Sequence, residues 1–227
     1  MTIDAVAARD ARRAAELRGF GGLGLLAIVV IGAANLVSVP LAALLVYLWV
    51  WRSRTPWSAI GYAGRQGWAA TIAGGVAFGV VLKLAMKAIV MPLLGADPIN
   101  HAYHYLVGNT RALPGVAALV IVSAGFAEET VYRGYLFERI GKIVGEGAVA
   151  TTFTVLLTAA LFGVAHYADQ GAAGVEQATL VGVVFGAIFA RRRRIGFLIC
   201  AHAAFDLTAV ALIYWNVEAR VAHLLIG

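Results

Sequence analysis

Two adjacent glutamates, Glu128 and Glu129, end a largely apolar stretch of the chain, and Arg133 follows one helical turn later. A charged side chain near a bilayer centre costs from about 2.5 to about 10 kcal/mol or more, so it is kept mainly where it faces a bundle interior. Glu129 and Arg133 are spaced i, i+4, which suits a structural ion pair. Glu128 is offset by about 100°, with Gly125 leaving room one turn earlier, so we expect its carboxylate to act on another group.

Two of the five histidines, His166 and His202, lie within apolar runs. Phe162 precedes His166 by four residues and Asp206 follows His202 by four, so each pair shares one helix face. A single histidine of this kind is more often a satisfied polar residue than a catalyst. The coincidence of three i, i+4 pairs on three helices nevertheless favours one polar site. The other histidines lie in polar segments and are expected to be exposed: His101, His104 and His223.

The segments that must position these side chains are membrane helices. The chain is 61% hydrophobic and 13% charged, which is far from the profile of a soluble domain. Its 227 residues suit one helical bundle, since each span uses about 20 apolar residues and a connection. The apolar runs lie at about 19–51, 69–94, 113–137, 149–172, 175–190 and 195–215. We therefore predict an all-α, polytopic transmembrane helical bundle, with the polar site in a cavity within the membrane.

The first run, 19–51, is long for one span and short for two, so its length alone leaves both counts open. Asn35, Ser38 and Pro40 supply turn chemistry in its middle. Two short helices are favoured because the basic clusters then share one side, as cytoplasmic flanks do. The clusters are Arg9 to Arg18, Arg52 with Arg54 and Arg65, Arg139 with Lys142, and Arg191 to Arg194, with mainly Arg111 and Arg220 opposite. The prediction is about seven spans, with the N-terminus cytoplasmic and the C-terminus outside.

We predict a single domain. It comprises a basic cytoplasmic N-terminus over 1–18, one helical domain over 19–215 and a short tail over 216–227. The N-terminal arginines indicate an uncleaved anchor, since no small-residue cleavage site precedes a soluble domain. The net charge is +6, but the arginines are grouped beside apolar runs, as in cytoplasmic flanks of membrane helices. We therefore expect no nucleic-acid partner. The single cysteine, Cys200, cannot form an intramolecular disulfide and is expected to be a small apolar helix residue.

Close helix packing is expected at two GxxxG spacings, Gly75/Gly79 and Gly182/Gly186.

Two expectations concern polar side chains at membrane depth. Lys83 and Lys87 either snorkel outward or face the cavity, and snorkelling is favoured. His202 lies about 10 Å into a span that starts near residue 195, whereas His166 lies about 25 Å into one that starts near 149. A common site therefore requires the fifth span to begin later and continue past Asp169, or to tilt strongly.

The three motifs are EETVYR at 128–133, FGVAH at 162–166 and HAAFD at 202–206. In order and spacing they resemble the EExxxR, FxxxH and HxxxN or HxxxD motifs of the CAAX protease and bacteriocin-processing family (CPBP, or Abi) of intramembrane proteases. The resemblance covers about 112–212, while residues 1–110 share only hydrophobicity. It implies an intramembrane endopeptidase of the glutamate or metalloprotease type.

Carried onto this chain, the resemblance implies that Glu128 activates a water molecule with help from His166. His202 and Asp206 would bind the scissile carbonyl oxygen as charge develops on it. Asp206 stands where many members have asparagine. That leaves open whether this group donates a hydrogen bond or only accepts one and orients His202.

Glu129 and Arg133 would then hold the helix of the first glutamate and tune the local charge. Metal dependence stays open, because Glu128, His166 and His202 are a ligand set that zinc accepts. The sequence has no HExxH motif, and a metal-free glutamate mechanism is favoured. The expected partners are the lipid bilayer and a membrane protein or peptide substrate, and the oligomeric state is left open.

Other functions stay open beside this one. A non-catalytic scaffold or immunity protein of the same fold and a proton-coupled transporter are the alternatives, although no duplicated halves indicate transport. The composition, rich in Ala, Arg and Gly, suggests a bacterial inner membrane, where prenylated substrates are not expected.

Overall fold

The computed structural model describes residues 3–62, 64 and 67–225. Arg65 and the outermost residues of both predicted terminal segments lie outside this part. The helices are α1 Ile3–Arg18, α2 Gly22–Val37, α3 Val39–Ser53, α4 Trp68–Leu93, α5 Leu113–Val144, α6 Ala148–Ala165, α7 Tyr167–Arg192, α8 Gly196–Tyr214 and α9 Glu218–Ala222. Two 3₁₀ segments, Trp57–Ile60 and His101–Leu106, lie in the connections. With no strand in the described ranges, the all-α prediction is confirmed.

Five helices, α4 to α8, are long and apolar enough to cross a membrane. A sixth span is possible if α1 from Ala5 and α2, which are bent by 55°, act together, and α3 is a shorter apolar helix. This agrees with the prediction of about seven spans. The run 19–51 does form two helices: Ser38 is extended between α2 and α3, and Pro40 lies in the first turn of α3, where its missing N–H is not needed.

The helices α2 and α3 form an antiparallel hairpin against α5. The indole of Trp49 near the end of α3 donates a hydrogen bond to the carbonyl of Leu17, just before α2. Arg139 near the end of α5 donates to the carbonyls of Arg18 and Gly19. Basic residues from three segments, Arg18, Lys142 and Arg193, line a cavity of about 690 Å³ here. Part of the predicted basic side therefore gathers at one end, which we call the basic end, and its cytoplasmic orientation stays a prediction.

Both GxxxG motifs mediate close helix packing. A Cβ atom at Gly75 would lie 2.7 Å from the carbonyl oxygen of Phe197, and one at Gly79 would clash with that of Ala201. Glycine thus lets α4 approach the backbone of α8. Glycines 182 and 186 do the same for α7 against α6, since their Cβ atoms would lie 3.0 and 3.1 Å from atoms of Ala159 and Val155.

We expect Gly79→Val to lower the free energy of unfolding by about 1–3 kcal/mol, because the new side chain meets backbone that cannot yield easily. Gly74→Val is the matched control on the same helix. A Cβ at Gly74 makes only ordinary contact, 3.6 Å from the ring of Phe197. Thermal unfolding in detergent measures both variants. Equal losses of stability would contradict the packing role of Gly79.

The middle of α5 is wider than an α-helix. Residues Val120–Leu136 form a π-helix, in which the backbone bonds run from i to i+5, and Met86–Val90 of α4 form a shorter one. Such segments are rare and frequently mark functional sites. The wide turn carries both Glu128 and Glu129.

Candidate active site

One buried histidine, His202 on α8, joins the acidic residues of the site. It is 3% exposed. Its Nδ1 donates a hydrogen bond of 2.7 Å to Oε1 of Glu129. Its Nε2 lies 3.7 Å from Oε2 of Glu128 and 3.7 Å from Oδ2 of Asp206. Both gaps exceed a direct hydrogen bond, and polar contacts of this length are commonly bridged by a small molecule.

The two adjacent glutamates therefore face the two nitrogens of one imidazole. The sequence predicted that Glu128 and Glu129 would point about 100° apart, as on an α-helix. Both nevertheless reach the same ring, one at each nitrogen, from the wide turn of the π-helix. Gly125 has a different role from the one expected: a Cβ there would lie 2.9 Å from that of Ala203, so the glycine lets α8 approach.

Glu128 keeps one carboxylate oxygen without a hydrogen-bond partner in the described part of the chain. This Oε2 atom is buried, while the side chain as a whole is 15% exposed. An unsatisfied buried acceptor is costly, and groups of this kind call for an explanation. That Glu128 acts on another group stays a prediction, and the unpaired oxygen is available for it.

Glu129 and Arg133 form the predicted ion pair. Nη1 of Arg133 donates to Oε1 of Glu129 at 2.8 Å, and the residues are 2% and 0% exposed. The guanidinium carbon lies 4.4 Å from the ring centre of Phe162 and 5.4 Å from that of Phe185. Since the same oxygen also accepts from His202, the ion pair fixes the orientation of this imidazole.

His166 joins the site through Phe162. Its Nδ1 donates to the carbonyl oxygen of Phe162 at 2.8 Å, so Nε2 is left for another partner. The ring centre of Phe162 lies 4.7 Å from that of His166 and 5.7 Å from that of His202. Both imidazoles thus pack against the same phenyl ring.

The structure brings His166 to the site in a different way from the one predicted. Helix α6 begins at Ala148, so the expected late start is wrong. It ends at Ala165, and the short helical stretch that follows and carries Asp169 is separated from the rest of α7 by Gly171, whose φ is 62°. A strong tilt, the other alternative, stays a prediction.

Thr154, already two turns into α6, lines the cavity at the basic end. His166 lies about 18 Å further along, against about 9 Å for His202 in α8, so the predicted difference in depth becomes smaller but does not vanish. The ring of Phe162, one turn before His166, spans what remains, because it packs against both imidazoles.

Several residues of the site were missed in the sequence. The ring centre of Phe185 lies 5.5 Å from that of His202, and its position between the glycines of a GxxxG motif was the available signal. Tyr132 packs against Phe162 and its hydroxyl accepts a hydrogen bond from Asn35. Nothing in the polar loop 95–112 marked Tyr103.

Tyr103 lies within electrostatic range of three carboxylates. Burial raises the pKa of its phenol above the usual value, and the negative charges of Asp169, Asp206 and Glu128 raise it further. The 3₁₀ segment His101–Leu106 packs against α8, and it therefore lies near two carboxylates of the candidate site, those of Asp206 and Glu128. The prediction that the three remaining histidines are exposed is confirmed for His101, His104 and His223.

The snorkelling predicted for the lysines is wrong. Lys83 and Lys87 are 8% and 9% exposed and line a cavity of about 350 Å³ beyond the catalytic cluster. Lys87 pairs with Glu218 of α9 at 3.1 Å, and Lys83 donates to the side-chain oxygen of Gln177 at 3.1 Å. Polar partners inside the bundle hold the ammonium groups there.

The metal ligand set allowed by the resemblance is not assembled in this geometry. Across residues 3–62, 64 and 67–225, no three His, Cys, Asp or Glu side chains converge to hold a metal ion. In the suggested set, Nδ1 of His202 donates to Glu129 and Nδ1 of His166 to a backbone carbonyl, which leaves the Nε2 atom of each ring for another partner, as in metal-binding histidines. Metal dependence therefore stays a prediction: a preformed three-residue cluster is lacking in the described residues, while both imidazoles keep one nitrogen free.

Residues 110–208 match the family model described as Type II CAAX prenyl endopeptidase Rce1-like. The matched segment contains all six predicted site residues, and it omits the helices α1 to α4. Comparisons with curated proteins and with solved structures gave no match.

Proposed function

We propose, from the match of residues 110–208 to the Rce1-like type II CAAX prenyl endopeptidase family, that the protein is an intramembrane endopeptidase. It would hydrolyse a peptide bond of a membrane protein or peptide. One observation carries the proposal. Glu128 presents a buried, unpartnered carboxylate oxygen 3.7 Å from the Nε2 atom of a histidine whose other nitrogen is fixed by Glu129. A general base and a hydrogen-bond donor thus face one small space.

In the proposed first step, a water molecule between Glu128 and His202 attacks the scissile carbonyl carbon. Glu128 takes a proton from the water as the new C–O bond forms, and the carbonyl π electrons move onto the oxygen. A positioned general base typically contributes about 10²–10⁴-fold to the rate. His166 assists by accepting a hydrogen bond at Nε2, since its Nδ1 already donates to the Phe162 carbonyl.

Negative charge on the carbonyl oxygen is stabilised by His202. The N–H at Nδ1 already donates a hydrogen bond to Glu129. The donor to the oxyanion is therefore the Nε2–H of the imidazolium form. When the intermediate collapses, the C–N bond breaks and the proton held by Glu128 passes to the amine nitrogen. The products are a carboxylic acid and an amine, and Glu128 is ionised again.

Asp206 and the buried ion pair act on His202 in this proposal. Asp206 lies 3.7 Å from Nε2, beyond a direct hydrogen bond, and its assigned role is to orient the ring, not to donate to the substrate. Glu129 and Arg133 are positioning residues, because both act through the imidazole. Glutamate chemistry without metal, the bacterial inner membrane and the cytoplasmic N-terminus are part of the proposal.

Cleavage by the detergent-purified protein tests this function. The substrate is a candidate membrane peptide, and the enzymes are the wild type, His202→Ala and the control His223→Ala, each with and without a strong zinc chelator. We expect His202→Ala to lose at least about 10²-fold in kcat, because a donor to the oxyanion is removed. The control histidine is exposed and outside the cluster, so His223→Ala should match wild type.

The chelator separates the two mechanisms. Wild-type activity that survives it supports the glutamate mechanism, and activity that disappears and returns with added zinc would replace it by a metal mechanism. If His202→Ala cleaves as fast as wild type at equal expression, the catalytic assignment fails and a scaffold or transporter takes its place.

A further inference from the structure

We propose that Lys83 and Gln177 form a carboxylate-binding site beside the catalytic cluster, which takes either the C-terminal carboxylate of a peptide or the side chain of an Asp or Glu within it. The inference rests on the proposed function and extends it to substrate recognition.

Lys83 is a buried cation with neutral partners. It is 8% exposed, its Nζ atom donates to Oε1 of Gln177 at 3.1 Å, and the same nitrogen lies 4.7 Å from the ring centre of Phe205. In the part of the chain that the structure describes, no carboxylate lies within ion-pairing distance of this nitrogen. A buried ammonium is stabilised most by an anion, so the site is suited to bind one.

Lys87, one turn later on α4, shows the contrast. It pairs with Oε1 of Glu218 at 3.1 Å and donates to the carbonyl of Pro98 at 2.7 Å. The other oxygen of Glu218 accepts from the backbone N–H of Asn100. Lys87 thus ties α9 and the loop after α4 together, and its charge is compensated within the protein. Of these two lysines, only Lys83 lacks a carboxylate partner among the described residues and is therefore available to bind an anionic ligand.

A cavity gives access to Lys83. Its volume of about 350 Å³ lies within the usual range for ligand pockets, about 300–1,000 Å³. Three carboxylates also line it: Glu218 is paired with Lys87, Asp97 is paired with His101, and Asp169 is the third. Amides such as Gln177 and apolar side chains such as Met91 complete the wall, which suits a peptide whose backbone needs hydrogen bonds.

The cavity continues the catalytic cluster along α8. Phe205, in contact with Lys83, directly precedes Asp206, and Ala209 one turn further lines the cavity wall. One helical turn is about 5.4 Å, which is less than two residues of extended peptide. A substrate whose scissile bond lies at Glu128 and His202 can therefore extend along α8 and place a carboxylate at Lys83.

The test is peptide binding to the full-length Glu128→Gln protein, in which cleavage is blocked. The probe is a dansyl-labelled apolar hexapeptide in three forms: with a free C-terminal carboxylate, with a C-terminal amide, and with an amide and one internal glutamate. We expect at least one carboxylate form to bind at least about tenfold tighter than the neutral amide. Preference for the first form identifies the chain terminus as the source, and preference for the third identifies an acidic side chain.

Two variants of Lys83 test whether the preference for carboxylate peptides depends on this site. Lys83→Met should reduce it to less than threefold, and Lys83→Arg should keep it. If Lys83→Met fails to fold, Gln177→Glu gives the same information. Its new carboxylate would form an ion pair with the Lys83 ammonium and should abolish the preference for carboxylate peptides. Gln170→Glu, in the same cavity wall, is the matched control and should leave the preference unchanged.

Equal affinity for the three peptides, or a preference that persists in Lys83→Met and Gln177→Glu, would overturn the inference. Because binding is measured without turnover, the result is separate from the proposed function. A wild type that cleaves nothing would reject the peptidase assignment even where the carboxylate preference is present. A Lys83→Met protein that binds all three peptides more weakly and to the same degree would overturn the inference as well.

Discussion

Replacing Glu128 by glutamine is expected to lower kcat for peptide cleavage by about 10²–10⁴-fold, with little change in KM. The amide keeps the size of the side chain and its ability to accept a hydrogen bond, but it cannot take a proton from water. The carboxylate has no hydrogen-bond partner at Oε2 in the described chain, so its loss breaks no contact that holds the fold. Initial rates over a range of substrate concentrations measure kcat and KM separately.

The control for this variant is Glu146→Gln, which makes the same chemical change at an exposed position in the connection before α6. It should retain wild-type kcat. Thermal unfolding of both variants in detergent shows whether the fold is kept. A Glu128→Gln protein that folds normally and cleaves within threefold of the wild-type rate would remove Glu128 from the role of general base.

Replacing Arg133 by methionine is expected to lower the free energy of unfolding by about 3–5 kcal/mol. The change leaves the fully buried carboxylate of Glu129 without its cation, and it removes a guanidinium that packs on Phe162 and Phe185. An uncompensated charge in a low-dielectric interior is among the most costly defects a single substitution makes. Chemical unfolding in mixed micelles measures the loss.

The double variant Glu129→Gln with Arg133→Met separates charge from packing. A neutral amide can still accept the hydrogen bond from Nδ1 of His202, so most of the lost stability should return. Activity should stay low, because the imidazole loses the carboxylate that favours its protonated form. Arg220→Met at an exposed position is the control for the loss of an arginine. A single Arg133→Met variant as stable as wild type would show that the ion pair contributes little.

The parts of the fold that local sequence decides could be predicted. The break at Ser38 and Pro40 follows from turn chemistry in a run too long for one helix, and the structure has it there. The close approach of α4 to α8 at Gly75 and Gly79 follows from the absence of side chains. The ion pair between Glu129 and Arg133 follows from i, i+4 spacing. Each depends on residues within about one turn of one another.

The rest depends on partners far away along the chain. Lys87 is buried because Glu218, 131 residues later, pairs with it, and neither residue alone indicates the other. Tyr103 comes near the cluster through a loop whose composition is ordinary for an exposed connection. The depth of His166 could not be calculated from helix length, because the count assumed that α6 begins at the membrane surface. Its first turns lie instead beside the basic end.

The π-helical stretch of α5 makes the number of residues in this segment as important as their identity. Between Val120 and Leu136 the backbone bonds enclose one residue more per ring than in an α-helix, and the adjacent glutamates reach both nitrogens of His202 from this wider turn. Deleting one residue before Glu128 restores α-helical bonding for some turns and rotates the preceding residues by about 100° relative to those that follow. Gly125 would then no longer face Ala203, although no chemical group of the site had been changed. In redesign of this protein, substitutions in the segment are therefore safer than insertions or deletions, and the chain length from Val120 to Arg133 is itself a functional property.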